Sequence, residues 1–67
     1  MDNRYFLEFK LNKQKLLIDF ADIRAVFSRD NKCVIYFYSD TDYEQEVDET
    51  YIQVINKIKK IYASRYK

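Results

Sequence analysis

The chain contains no glycine, no proline, no histidine and no tryptophan, and it has a single cysteine. Each absence removes a class of chemistry. Without glycine there is no Gly-rich loop whose backbone amides cradle a phosphate. Without histidine there is no imidazole base and no histidine metal ligand, and the serines lack the partner that would activate them. A lone Cys33 cannot build an intrachain disulfide framework, so packing must hold the fold. No run approaches the ~20 apolar residues of a membrane span, and no apolar signal-peptide core is visible. A cytoplasmic protein without a membrane partner is the expectation. The net charge of +1 offers no global attraction to nucleic acid or anionic lipid.

What is present reads as globular. The 67 residues, 48% hydrophobic and 34% charged, form one domain over 1–67. A domain this small buries only about 60% of its unfolded surface, so its seven Tyr and five Phe must supply much of the core. The excess of Lys, Asn, Ile, Tyr, Phe and Asp is what A/T-rich codons produce, which suits a low-GC bacterium or one of its phages.

The most strand-prone stretch is Lys32-Cys33-Val34-Ile35-Tyr36-Phe37-Tyr38, β-branched and aromatic throughout. Alternation puts Cys33, Ile35 and Phe37 on one face and Val34, Tyr36 and Tyr38 on the other. Neither face is charged, which predicts a central strand. Upstream, Arg4 to Leu11 alternates, with Tyr5, Leu7, Phe9 and Leu11 opposite Arg4, Phe6, Glu8 and Lys10. Asn12-Lys13-Gln14 is a turn, since Asn tolerates left-handed backbone. Lys15 to Phe20 is a second strand, followed by an irregular corner between Asp19 and Asp22. Ile23 to Ser28 is a third strand, with Ile23, Ala25 and Phe27 opposite Arg24, Val26 and Ser28. Ser28-Arg29-Asp30-Asn31-Lys32 is a hairpin loop, with Asp30-Asn31 where Asp-Gly or Asn-Gly is more usual.

The stretch Ser39 to Glu49 holds six acids and no base. Thr41 to Val47 is expected as a short edge strand, with Asp42, Glu44 and Glu46 outward. Tyr51, Val54, Ile55, Ile58, Ile61 and Tyr62 then recur at spacings of three and four, one apolar helix stripe. Asp48 is the expected N-cap, with Val47 and Ile52 stapled across it. Asp48 and Glu49 at the start, and Lys57, Lys59 and Lys60 towards the end, suit the helix dipole.

These elements predict a small α+β domain: a four- to five-stranded antiparallel meander with one C-terminal amphipathic helix packed on one face. The opposite face, holding Phe6, Val26 and either Val34, Tyr36 and Tyr38 or their out-of-phase neighbours, is left uncovered. The order of strands, polar turns, acidic stretch and terminal helix resembles the FlbD-like small flagellar proteins in pattern. Their Asn-Gly turns and Glu-Ser pair are replaced here by Asn12-Lys13, Asp30-Asn31 and Asp48-Glu49-Thr50, so the resemblance implies nothing about function.

No catalytic constellation emerges, and no cofactor or metal is expected. Asp40-x-Asp42-x-Glu44 has the look of a calcium loop but lacks its glycine. The plainer reading is a solvated acidic edge that discourages stray strand pairing. Cys33 inside an apolar strand behaves as a small hydrophobe. The reading that remains is a non-enzymatic protein-binding module, an inhibitor or adaptor acting by surface occupation. Its expected contacts are Asp40, Asp42, Glu44, Glu46, Tyr36 and Tyr38, against a partner with a basic surface, with homodimerisation through the spare face. The alternative is a nucleic-acid module using Lys57, Lys59, Lys60 and Arg65 of the helix, with the sheet presenting Tyr36 and Tyr38 near Arg24 and Lys10. Salt dependence separates the two, because phosphate contacts weaken steeply with added salt.

Overall fold

The computed structural model describes residues 5–65. The chain runs β1 (Phe6–Leu11), β2 (Gln14–Asp19), a 3-10 turn (Phe20–Asp22), β3 (Ile23–Arg29), β4 (Lys32–Phe37), β5 (Glu44–Val47) and α1 (Tyr51–Arg65). All strand pairs are antiparallel, and they form two sheets, β1-β2 and β3-β4-β5. This is the expected α+β arrangement with one terminal helix.

Both tight hairpins are two-residue turns, built without glycine. Leu11 faces Gln14 across Asn12-Lys13, and Arg29 faces Lys32 across Asp30-Asn31. Each turn has φ of 50° then 65°, the left-handed pair that matches the twist of the flanking strands. Asn12, Asp30 and Asn31 tolerate that region because their short polar side chains bond locally, whereas Lys13 has no such compensation. At the corner, the Asp19 carboxylate accepts the Ala21 N–H at 3.0 Å and closes the 3-10 turn.

The two sheets meet at their ends rather than along a common ladder. Asp48 N–H, just after β5, donates to the Lys10 carbonyl of β1 at 2.7 Å, while Phe20 N–H donates to the Tyr5 carbonyl at 2.8 Å and extends the β1-β2 pairing by one step. The helix covers the inner face. Leu7 and Phe9 of β1, Ile18 of β2, Phe20, then Cys33, Ile35 and Phe37 of β4 and Val47 of β5 are buried with Val54 and Ile61 of α1. Tyr5, Leu16, Ile23, Val26 and Ile58 pack against them. Val54 is wholly buried, and burying such a side chain stabilises by roughly 1.5–3 kcal/mol.

Three sequence expectations are corrected. Val26 faces Ile35 and packs into the core, not on the spare face. The reason is an irregularity between Ile23 and Ala25 that breaks the alternation of β3, so Ile23 and Val26 both reach the core. The helix cap is Thr50, not Asp48. Gln53 N–H donates to Thr50 Oγ1 at 3.2 Å and Thr50 N–H donates to Gln53 Oε1 at 3.0 Å, a reciprocal capping box. Ile52 is consequently two-thirds exposed, and no staple forms with Val47. The last β-strand is Glu44–Val47, so Thr41 and Asp42 lie outside it.

Freed from capping, the two acids before Thr50 make tertiary ties, Asp48 between the two sheets and Glu49 between β1 and the helix. Asp48 accepts from the Asn12 N–H at 2.7 Å and pairs with Lys32 at 3.2 Å. Glu49 is buried. It accepts from the Lys10 N–H at 2.9 Å and from the Lys57 ammonium at 2.7 Å. Lys57 also donates to the Glu8 carbonyl and lies 4.9 Å from the centre of the Phe9 ring. This clip pins the middle of α1 to β1.

Candidate interaction surface

The face of β3-β4-β5 turned away from the helix is organised in rows set by the register. Ala25, Tyr36 and Glu44 form one row, and Phe27, Val34 and Glu46 the next. Arg29 stands opposite Lys32 in the third. Opposite residues of antiparallel strands share a face, so these side chains project together. Phe27 and Tyr36 meet edge to face at 5.3 Å, and the Arg24 guanidinium lies 5.6 Å from the Tyr36 ring centre. Arg24 Nε also donates to the Phe37 carbonyl at 3.4 Å.

Arg29 of the third row reaches Glu44 of the first. That diagonal passes over Val34 in the middle row of the central strand. Val34 is fully buried although it does not belong to the core cluster under the helix. Tyr36 OH completes the arrangement by donating to Glu44 Oε1 at 3.2 Å. The Arg29 hydrogen bond holds the Glu44 carboxyl below the usual range, and Glu44 in turn raises the Arg29 guanidinium. Asp48 is held low as well, first by the Asn12 N–H and then by Lys32.

The face is therefore polarised. Arg24 and Arg29 line its β3 side, Glu44 and Glu46 its β5 side, and Phe27 and Tyr36 lie between, with Phe27 54% exposed.

The expected contact residues divide accordingly. Tyr36, Glu44 and Glu46 come together on this face. Asp40 and Asp42 lie in the preceding turn, where the Asp40 carboxylate accepts the Asp42 N–H at 3.3 Å and the Asp40 carbonyl accepts the Tyr43 N–H. The carboxylates of Asp40, Asp42 and Glu44 do not converge, and the described residues hold no cluster of three or more metal-ligating groups. Tyr38 follows the end of β4, strongly exposed, with its N–H given to the Asp22 carbonyl. Ser39 closes that corner onto the Asp22 carboxylate at 2.6 Å. Tyr43 stacks on the buried Phe37 at 5.9 Å and belongs to the core's rim.

The basic helix residues of the alternative reading do not join the sheet tyrosines in one groove. Lys57 is committed to Glu49 and Glu8, while Lys59 and Lys60 are exposed on α1, which covers the inner face. Arg65 ends the helix. Tyr36 projects from the opposite face. Cys33 is wholly buried on the core face, where desolvation pushes its thiol up and away from a reactive thiolate.

Sequence reasoning missed Phe27 and Arg29 as members of this surface. The signal for Phe27 and Arg29 was available, since both share one parity of β3 and flank a tight turn. Arg24 lies where the sequence reading placed it, near Tyr36.

No protein-family model matches the chain, nor does any curated protein or solved structure.

Proposed function

We propose that the chain is a non-enzymatic protein-binding module acting by surface occupation, with the outer face of β3-β4-β5 as its contact surface. The observation that carries this reading is Phe27. It is a large aromatic, 54% exposed, in the middle row of the face turned away from the helix, which no other described element covers, and it is flanked by Tyr36 and two arginines. Tyr, Phe and Arg are the residues enriched where proteins meet. The acidic side, Glu44 and Glu46 extended by Asp42 and Asp40, suits a partner with a basic surface.

The face is also complementary to itself. Under a two-fold axis lying between two stacked faces and parallel to their strands, the arginine side of one copy lies against the acidic side of the other. A homodimer is the commonest closed assembly such a surface forms. The setting that fits is a cytoplasmic inhibitor or adaptor of a bacterium or its phage, which the A/T-biased composition supports.

Asp42→Lys/Glu46→Lys tests the acidic side while leaving the Arg29–Glu44 bridge intact. The fold should hold, because surface substitutions are usually worth within about 0.5 kcal/mol each. Self-association should weaken at least tenfold. Association unchanged by the double reversal would remove the acidic side from the contact.

A further inference from the structure

A second feature lies on the other side of the molecule. A groove of about 580 Å³ runs between β1, the start of β2 and the first half of α1. It is lined by four lysines, Lys10, Lys15, Lys57 and Lys60, and by three acids, Glu8, Asp48 and Glu49. The acids are largely matched. Glu49 is paired with Lys57, and Asp48 with Lys32, which lies outside the groove lining. Glu8 reaches Lys15 only at 4.0 Å, with both side chains well exposed. Lys10 and Lys60 have no ion pair among the described residues.

The register sharpens this. Lys10 and Lys15 stand directly opposite each other across β1-β2. Like charges in that position oppose strand pairing. The second hairpin has the same problem at Arg29 and Lys32, and there each base has its own acid, Glu44 and Asp48 respectively. In the first hairpin only Lys15 has an acid, Glu8 at 4.0 Å, and Lys10 has none among the described residues, beside Lys60, Gln53 and Asn56. Two unmatched ammonium groups, a loosely matched third and two side-chain amides in one concave site describe a receptor for an anion.

We propose that this groove binds a phosphate group of a small ligand, with Lys10, Lys15 and Lys60 as the charged donors and Gln53 and Asn56 as neutral ones. A doubly charged phosphate answers the surplus charge and accepts from several donors at once. The volume lies within the range of ordinary small-ligand sites. Lysine side chains do here what a glycine-rich loop does elsewhere, so the lack of glycine is no obstacle.

Amide NMR titration with inorganic phosphate and separately with a nucleoside diphosphate, at constant ionic strength set by chloride, tests the site. Both should give saturable shifts centred on Lys10, Lys15, Gln53, Asn56 and Lys60. The dissociation constant should be at or below about 1 mM, as for a small ligand held by a few charged contacts. Tighter binding of the diphosphate identifies a nucleotide-like ligand, and equal binding identifies phosphate itself. Lys10→Gln/Lys15→Gln should weaken both at least tenfold while melting at or above the wild-type temperature in chloride, since it also removes the repulsion. Shifts that do not saturate, or that the double variant leaves unchanged, would overturn the proposal. So would a variant that loses binding only because it melts lower in chloride. A single-stranded oligonucleotide binding far more tightly than either small anion, with Lys59 shifted as strongly as Lys10, would overturn it in favour of a nucleic-acid interface.

Discussion

Arg29 and Glu44 bridge from β3 to β5 across the central strand, and Val34 is buried beneath them. The ion pair itself is exposed on both sides, and exposed pairs contribute little. Its structural role lies in the aliphatic stem of Arg29, which shields apolar surface while the charged head stays in water. Arg29→Met should therefore melt within a few degrees of wild type, whereas Arg29→Ala should melt clearly lower. Equal melting of the two variants would mean that the stem does not cover Val34.

The glycine-free turns hold recoverable stability. Lys13 and Asn31 occupy the second position of their turns, both at φ 65°. Left-handed backbone costs a residue with a Cβ about 1–2 kcal/mol, partly offset by the entropy that glycine loses on folding. Lys13→Gly should stabilise by about 0.5–1 kcal/mol, and Asn31→Gly by less, because Asn already tolerates the region. The urea midpoint reads both. A destabilised Lys13→Gly variant would show that the lysine has a compensating contact.

Glu49 and Lys57 form the clip between helix and β1. Glu49→Ala leaves the Lys10 N–H without its acceptor and the Lys57 ammonium with the Glu8 carbonyl alone, and a stranded donor costs about 1–3 kcal/mol. Lys57→Met leaves a buried carboxylate short of its cation. Because Lys57 is itself about one-third exposed, the loss should stay near 1–2 kcal/mol rather than the larger figure for a fully buried pair. The double variant Glu49→Ala/Lys57→Met should lose less than the sum of the two single changes. Strict additivity by chemical denaturation would mean the two side chains do not act as a unit.

Much of this architecture is legible in the residues. The period of Leu7, Phe9, Cys33, Ile35 and Phe37 assigns the inner face, and Asn12-Lys13 and Asp30-Asn31 mark the turns because few other pairs tolerate left-handed backbone. The corner at Asp19 to Asp22 shows in its bracketing acids. The irregularity in β3 is not legible, since neither Ile23 nor Ala25 marks it as a glycine would. The cap was misplaced because Asp48, Glu49 and Thr50 compete for one role. Only the tertiary contacts of Asp48 with Asn12 and of Glu49 with Lys10 and Lys57 leave it to Thr50. The Arg29–Glu44 bridge joins strands 15 positions apart in sequence, and periodicity carries no information about such a pair.

The account rests on the outer face being a contact surface, and self-association reads that directly. Sedimentation equilibrium of the wild-type chain at about 100 μM, well above the micromolar constant that about −8 kcal/mol represents, should give the dimer mass. Phe27→Lys, which places a charge in the middle row without touching the core, should sediment as a folded monomer. A wild-type monomer at that concentration, or a Phe27→Lys dimer as tight as wild type, would contradict it.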